Sequence, residues 1–386
     1  MKTRIEEVDA LRGVMLVWMT CTHLPTVLSI YVNQPIGFFA ATEGFIFLSA
    51  LFTGRISARL VEREGNRAMC RNVWMRAARL YGYQLLLLAF AFVIEAPIAA
   101  RGNRPAVHNL LDYYFTVGHS RAFIDAALMI YRPPLLDILP IYIIFLALTP
   151  FAVLLGMRFG WKYAFAGGFA LWLFAQFGLK TIVYNWLTHL FGLQIPLNEM
   201  GAFDLWAWQL WWLVGLWLGV RWARDDLHLD QWTRKTTVVI PAAAIAVLFL
   251  ALRYIQMGTS MDLGKFAPLL DKWDFGVGRM IDFTAVAVLA IRFRSMLRPL
   301  VIRPLVMLGQ CSLPVFCVHL LCVFFALTVM GNNAMLTGWP ALALIVMSLS
   351  ALLLTASVAS RRKMKAGASH VARLNVQAPP AIQATK

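Results

Sequence analysis

Charge is what this chain has least of. Only 14% of its 386 residues are Asp, Glu, Lys or Arg, 60% are hydrophobic, and the mean hydropathy is +0.68. Soluble domains carry about 25% charged residues, so a water-soluble globular protein is excluded and an integral membrane protein is indicated. Acids are scarcest, 19 against 35 Lys and Arg, for a formal charge of +16. That excess does not indicate a nucleic-acid partner, because the basic residues sit in short connections between apolar runs, as topology signals do. The five cysteines (Cys21, Cys70, Cys311, Cys317, Cys322) lack metal-type spacing, so no metal site is expected. No GxxxxGK[ST] loop occurs, which leaves ATP hydrolysis unsupported. Internal repeats of the transporter kind are missing as well. No small-residue cleavage site follows the first apolar run, so that run is expected to remain as a signal anchor.

Ten apolar segments are present: 9–30, 36–54, 77–99, 135–156, 161–178, 205–220, 236–256, 275–291, 304–330 and 339–360. Each approaches the roughly 20 residues that a spanning helix needs, so the expectation is an all-α polytopic membrane protein of about ten transmembrane helices. Even-numbered connections are basic and odd-numbered ones much less so, which places both termini in the cytoplasm. The most basic is an arginine-rich loop over 55–79. The outer loops 100–134 and 180–204 mix aromatic and polar residues, as short helices on the outer face or solvated connectors would. Residues 1–365 read as one transmembrane domain. Residues 366–386, rich in Ala, Pro and Gln, read as a disordered cytoplasmic tail.

Ionisable groups inside such segments are costly and draw attention to themselves. Asp9 and Arg12 head the first run, and His23 lies deep within it. On an ideal helix Arg12 and His23 share a face, roughly 16 Å apart along the axis. Glu43, early in the second segment, reaches a depth similar to His23, so the two could form a base and its orienting partner. On the residues alone, His23 serves equally well as an interhelical hydrogen-bonding group. Asp9 and Arg12, three apart, suit a helix-start ion pair. Arg12 equally suits the phosphates of a cytoplasmic donor, as do Arg71, Arg76 and Arg79 at the start of the third segment. Asp137, Gln209, Arg279 and Asp282, with Glu95, Arg253 and His319, are further polar groups within or beside spans. Together they suggest a cavity open to the outside, and Arg279 and Asp282 are spaced to pair with each other.

VDALRGVMLVWMTCTHLP, ATEGFIFLSALFTGRI, LLDILPIYIIFLALTP, FDLWAWQLWWLVGLWLG and LGQCSLPVFCVHLL follow one another along nearly the whole chain. In this order they resemble the OpgC family of membrane acyltransferases, grouped with the acyltransferase-3 enzymes. The resemblance implies an enzyme that succinylates periplasmic glucans. It makes His23 the catalytic base, Asp9 and Arg12 the helix-start pair and Glu43 the second-helix acid. Ala50 stands where many relatives have glycine, and the Arg71, Arg76, Arg79 spacing departs from RxxxR.

The expected activity is O-acyl transfer at a bacterial inner membrane. Succinyl-CoA or acetyl-CoA is the donor, a periplasmic glucan the acceptor, His23 the base and Glu43 its orienting acid. Asp137, Arg279, Asp282 and Gln209 are expected on the acceptor side. Membrane lipids are the surrounding partners, and a homo-oligomer stays open. The alternatives are O-acetylation of another exported polysaccharide and a secondary transporter or flippase of glycan or lipid.

Overall fold

In a computed structural model the described residues are 6–377, apart from 103, 193, 260, 261 and 331–334, and the side chains of 230 and of 363 onward are also not described. The first helix, α1 (Glu6–His23), opens with Glu6, Glu7 and Asp9, acids that complement the amide end of its dipole. It stops at His23 instead of continuing to residue 30. Pro25 has no N–H to donate and disfavours helix in the residue before it. Beyond it, Val27 N and Leu336 O (3.0 Å) pair with Leu336 N and Pro25 O (3.0 Å), and a short helix follows at Leu28–Val32.

Then come α2 (Ala41–Glu64) and α3 (Asn66–Phe90), separated by a single glycine, Gly65, at φ +83°. The arginine-rich stretch 55–79 is therefore two helix ends meeting at Gly65, where a loop was expected. Its cations ride on helical faces, which sends neighbouring arginines in different directions. A π turn, Ala91–Glu95, continues α3 and brings the buried Glu95 carboxylate to the Thr328 hydroxyl.

Short helices at Pro105–Leu110, Asp112–Val117 and His119–Ala127 fill the long connection 100–134. The remaining long helices are α4 (Ile138–Phe159), α5 (Trp161–Gln176), α6 (Leu179–Phe191), α7 (Leu205–Ala223), α8 (Thr236–Thr259), α9 (Val277–Arg292), α10 (Arg303–Gln310), α11 (Ser312–Met330) and α12 (Gly338–Gln377). Residues 378–386 of the expected tail lie outside the described residues.

The ten apolar segments are largely helical, but 9–30 is broken at Pro25 and 304–330 at Cys311, between α10 and α11. Among the described residues, six helices are long and apolar enough to cross a membrane, or seven if α5 and α6, bent by 84°, count as one span. Of the rest, α9 has only 16 residues and α1 and α7 have 18 and 19. The described residues form no strand; the Thr26–Leu336 pairing is an isolated bridge.

Small residues allow the central helices to approach closely, the usual basis of association where lipid replaces water. A Cβ on Gly219 of α7 would stand 2.0 Å from Leu51 O of α2, and one on Gly309 of α10 would stand 1.8 Å from Asp9 O of α1. Ala50, fully buried, packs in the first of these crossings beside Gly215. The buried cluster runs through α1, α2, α3, α4, α7 and α11. By contrast, only Ala242 of α8 is buried, as suits a lipid-facing helix.

Candidate active site

His23 closes α1 where Pro25 ends the helix, and it is half-buried. Its Nδ1 lies 3.0 Å from Nε2 of His319, on α11, and the rings stack at 5.3 Å between centroids. His319 is fully buried, and its Nδ1 faces Phe316 O at 3.2 Å. A carbonyl oxygen only accepts, so His319 carries its proton on Nδ1. Neutral His319 then accepts at Nε2 from Nδ1–H of His23. The order leaves His23 Nε2 as an unprotonated lone pair, and no described residue bonds it. Two imidazoles and a carbonyl thus fix one tautomer of His23.

Glu43 does not perform that service. Its Oε1 accepts from Arg279 Nε at 2.9 Å and from Arg279 Nη2, while Oε2 accepts from Ala40 N at 3.0 Å. Both residues are buried, and Trp211 Nε1 donates to Glu43 O at 3.2 Å. Equal depth in the membrane left open which neighbour Glu43 faces, and it faces the first turn of α9. Arg279 and Asp282 accordingly do not pair with each other. Asp282 instead accepts from Phe38 N at 2.7 Å and ties down the connection between α1 and α2.

A narrow cavity of about 40 Å³ lies between α1, α2, α3, α4 and α11. Arg12, Ser49, Arg76, Tyr142 and Ser312 give it polar character, and Phe45 and Phe316 also line it. Arg12 donates to Ser312 Oγ, and Arg76 donates to Thr53 Oγ1 at 2.9 Å and to the Tyr142 hydroxyl. Phe45 and Phe316 stack at 5.8 Å, and Phe316 lies 5.3 Å from the His319 ring. Two cations therefore border the cavity, and Phe316 in its wall separates it from His319.

The remaining expected donor-side residues part company. Asp9 is buried against α10. Arg71 lines an open groove with Arg67, Cys70 and Trp74 on a different face of α3. Arg79 is exposed, with Nε toward Met75 O of its own helix. Helical turns of about 100° per residue separate Arg76 from both. Of the residues expected on the acceptor side, Gln209 binds Gly168 O (2.6 Å) and Trp206 O (3.0 Å), which makes it a clasp between α5 and α7. Asp137 is buried and accepts from Ala202 N at 3.2 Å, and burial raises its carboxyl to about 6. Lys272, just before α9, lies within electrostatic reach of both His23 and Glu43, and sequence reasoning passed over it entirely. The described residues hold no cluster of metal-ligating side chains.

These features define a polytopic helical membrane protein with a paired-histidine centre at the end of its first helix. The family model described as OpgC protein matches residues 4–364, so the chain belongs to the OpgC family. No curated protein and no solved structure matches it.

Proposed function

We propose that this protein is an acyl-CoA-dependent O-acyltransferase of a bacterial inner membrane. It transfers an acyl group, succinyl in the first instance, to hydroxyls of a periplasmic glucan. Family membership supports a transferase. The observation that carries the chemistry is the His23–His319–Phe316 chain, whose Phe316 also lines the cavity that Arg12 and Arg76 border.

With both termini cytoplasmic, Arg12 and Arg76 meet the phosphates of CoA and the pantetheine arm follows the passage past Phe45 and Phe316. Admitting that arm requires the Phe45–Phe316 pair to part, since the passage is narrow without it. His23 Nε2 takes the proton of a sugar hydroxyl as its oxygen attacks the thioester carbonyl. Collapse of the tetrahedral intermediate breaks the carbon–sulfur bond, and the proton on His23 goes to the departing thiolate. His319 holds the His23 ring and, through Nδ1–H of His23, stabilises the imidazolium while it lasts. Glu43 and Arg279 form the buried wall beside this centre.

Purified protein supplied with succinyl-CoA and glucan, without any ion gradient, should release CoA and form ester, and mass spectrometry of periplasmic glycans from cells with and without the protein should show the matching ester. Gradient-dependent movement of glycan with no ester formed would replace this reading with a transporter.

A further inference from the structure

Three loops on the outer side are laced together by backbone and side-chain bonds. Arg132 N donates to Glu199 O (2.9 Å), Ala202 N to Asp137 Oδ2 (3.2 Å), and Asp204 N to Trp273 O (2.9 Å). Into this platform come three cations. Lys180 Nζ donates to Gly201 O at 2.7 Å. Lys272 Nζ lies 5.0 Å from the Trp273 ring centroid and 5.8 Å from that of Phe203. Arg132 is only 8% exposed, and a Cβ placed on Gly201 would lie 3.3 Å from its Nε.

The Arg132 guanidinium is the anomaly. Its Nε and Nη1 are buried, and neither finds an acceptor among the described residues. Asp137 and Asp204 lie within electrostatic reach of it, yet no described carboxylate forms an ion pair with it. Those two acids are already engaged: Asp204 Oδ1 caps α7 through Trp206 N (2.7 Å) and Ala207 N (3.2 Å), and Asp137 holds Ala202 N. A buried donor without an acceptor costs about 1–3 kcal/mol, and more when charged. Arg132 and Lys180 also repel one another. A group of this kind stays in place when an incoming anion completes it. Lys272 joins the platform to the reaction centre: Leu270 O, two residues before it, accepts from Arg279 Nη1 (3.4 Å), Arg279 binds Glu43 (2.9 Å), and the Lys272 charge acts on His23 as well.

We propose that Arg132, Lys180 and Lys272 form an extracytoplasmic recognition site for a carboxylate carried by one of the two reactants, set beside the His23 centre. The proposal rests on the acyltransferase reading for its place in the reaction, but not for the existence of the site. A carboxylate at the far end of a dicarboxylic acyl group and one on the acceptor glycan present the same chemistry, and the experiment separates them.

Thermal unfolding of the full-length purified protein is followed with succinate and with its neutral diamide, at fixed ionic strength. Succinate should raise the midpoint saturably, the diamide should not, and Arg132→Gln should abolish the rise. Lys272→Gln, in a loop, should weaken it and serves if Arg132→Gln does not fold. An equal rise with chloride, or an undiminished one in both variants, overturns the site whether or not the protein is an acyltransferase. In turnover, Arg132→Gln should lower the preference for succinyl-CoA over butyryl-CoA at least tenfold if the carboxylate is on the acyl group. If it is on the acceptor, the loss should instead appear with any donor, and only for carboxylate-bearing glycans. A uniform loss across all donors and acceptors overturns the recognition role. Wild-type protein that forms no ester at all defeats the acyltransferase reading alone, and the succinate measurement still judges the site.

Discussion

His23 and His319 stand 3.0 Å apart, nitrogen to nitrogen, joined across α1 and α11 although 296 positions separate them in the chain. The pairing makes His319 a positioning residue, whose worth lies in the tautomer and orientation it imposes. His23→Ala should lower acyl transfer by about 10²–10⁴-fold, the usual contribution of a general base. His319→Ala should lower kcat by roughly 10–100-fold and leave KM for the acyl donor unchanged, the ratio expected for a group that orients the base without touching substrate. Steady-state kinetics of the two variants check this, and an unchanged kcat in His319→Ala would remove it from the mechanism.

The arginines of α3 should separate functionally as they do spatially. Arg12→Ala and Arg76→Ala remove cations from the passage, so each should raise KM for acyl-CoA about tenfold, as the loss of a charged contact of roughly 1.4 kcal/mol would. Arg71→Ala and Arg79→Ala lie outside it and should leave the donor dependence within about twofold. Donor titrations of the four variants are the measurement, and a larger effect at Arg71 than at Arg76 would relocate the donor site to the groove around Trp74.

Glu43 and Arg279 form a buried ion pair, so removing either partner strands a charge. Glu43→Ala and Arg279→Ala should each destabilise the protein by about 3–5 kcal/mol. Joint replacement by apolar residues of similar volume, Glu43→Leu with Arg279→Met, should cost less than either single loss. Unfolding in detergent, compared across the cycle, reads the coupling directly.

Asp137, at the N-terminus of α4, supplies a pH signature. Its carboxyl is held at about 6 by burial, above its ordinary 3.8. The native state then binds more protons than the unfolded chain between those values, so this group makes stability fall as pH rises from about 4 to 6. Asp137→Asn should flatten that slope and, at pH 7, recover roughly 3 kcal/mol, less what the weakened bond from Ala202 N costs. Melting curves across pH 4–7 for both proteins give the slope.

Much of this molecule follows from local sequence. Hydrophobicity alone identifies a membrane protein, because lipid requires each backbone polar group to be satisfied within its own helix. The apolar segments are largely helical for that reason, and Pro25 marks the break that leaves His23 at a helix end. His23 and Arg12 could be singled out because a charge or imidazole in an apolar run is rare enough to need an explanation.

What local sequence leaves open is rotation about each helix axis and the identity of its neighbours. Glu43 and His23 share a depth, yet Glu43 turns to Arg279, 236 positions away, while His23 turns to His319. Arg71, Arg76 and Arg79 look like one group in the sequence and are three separate situations in the fold. Arg132, Lys180 and Lys272 look like unrelated loop and helix-end cations until the loops around Asp137, Gly201 and Trp273 are laced together. The apolar pattern and one proline determine the helices and the position of His23. Tertiary packing alone decides its partner and hence which nitrogen is free, because that depends on which helix faces pack together.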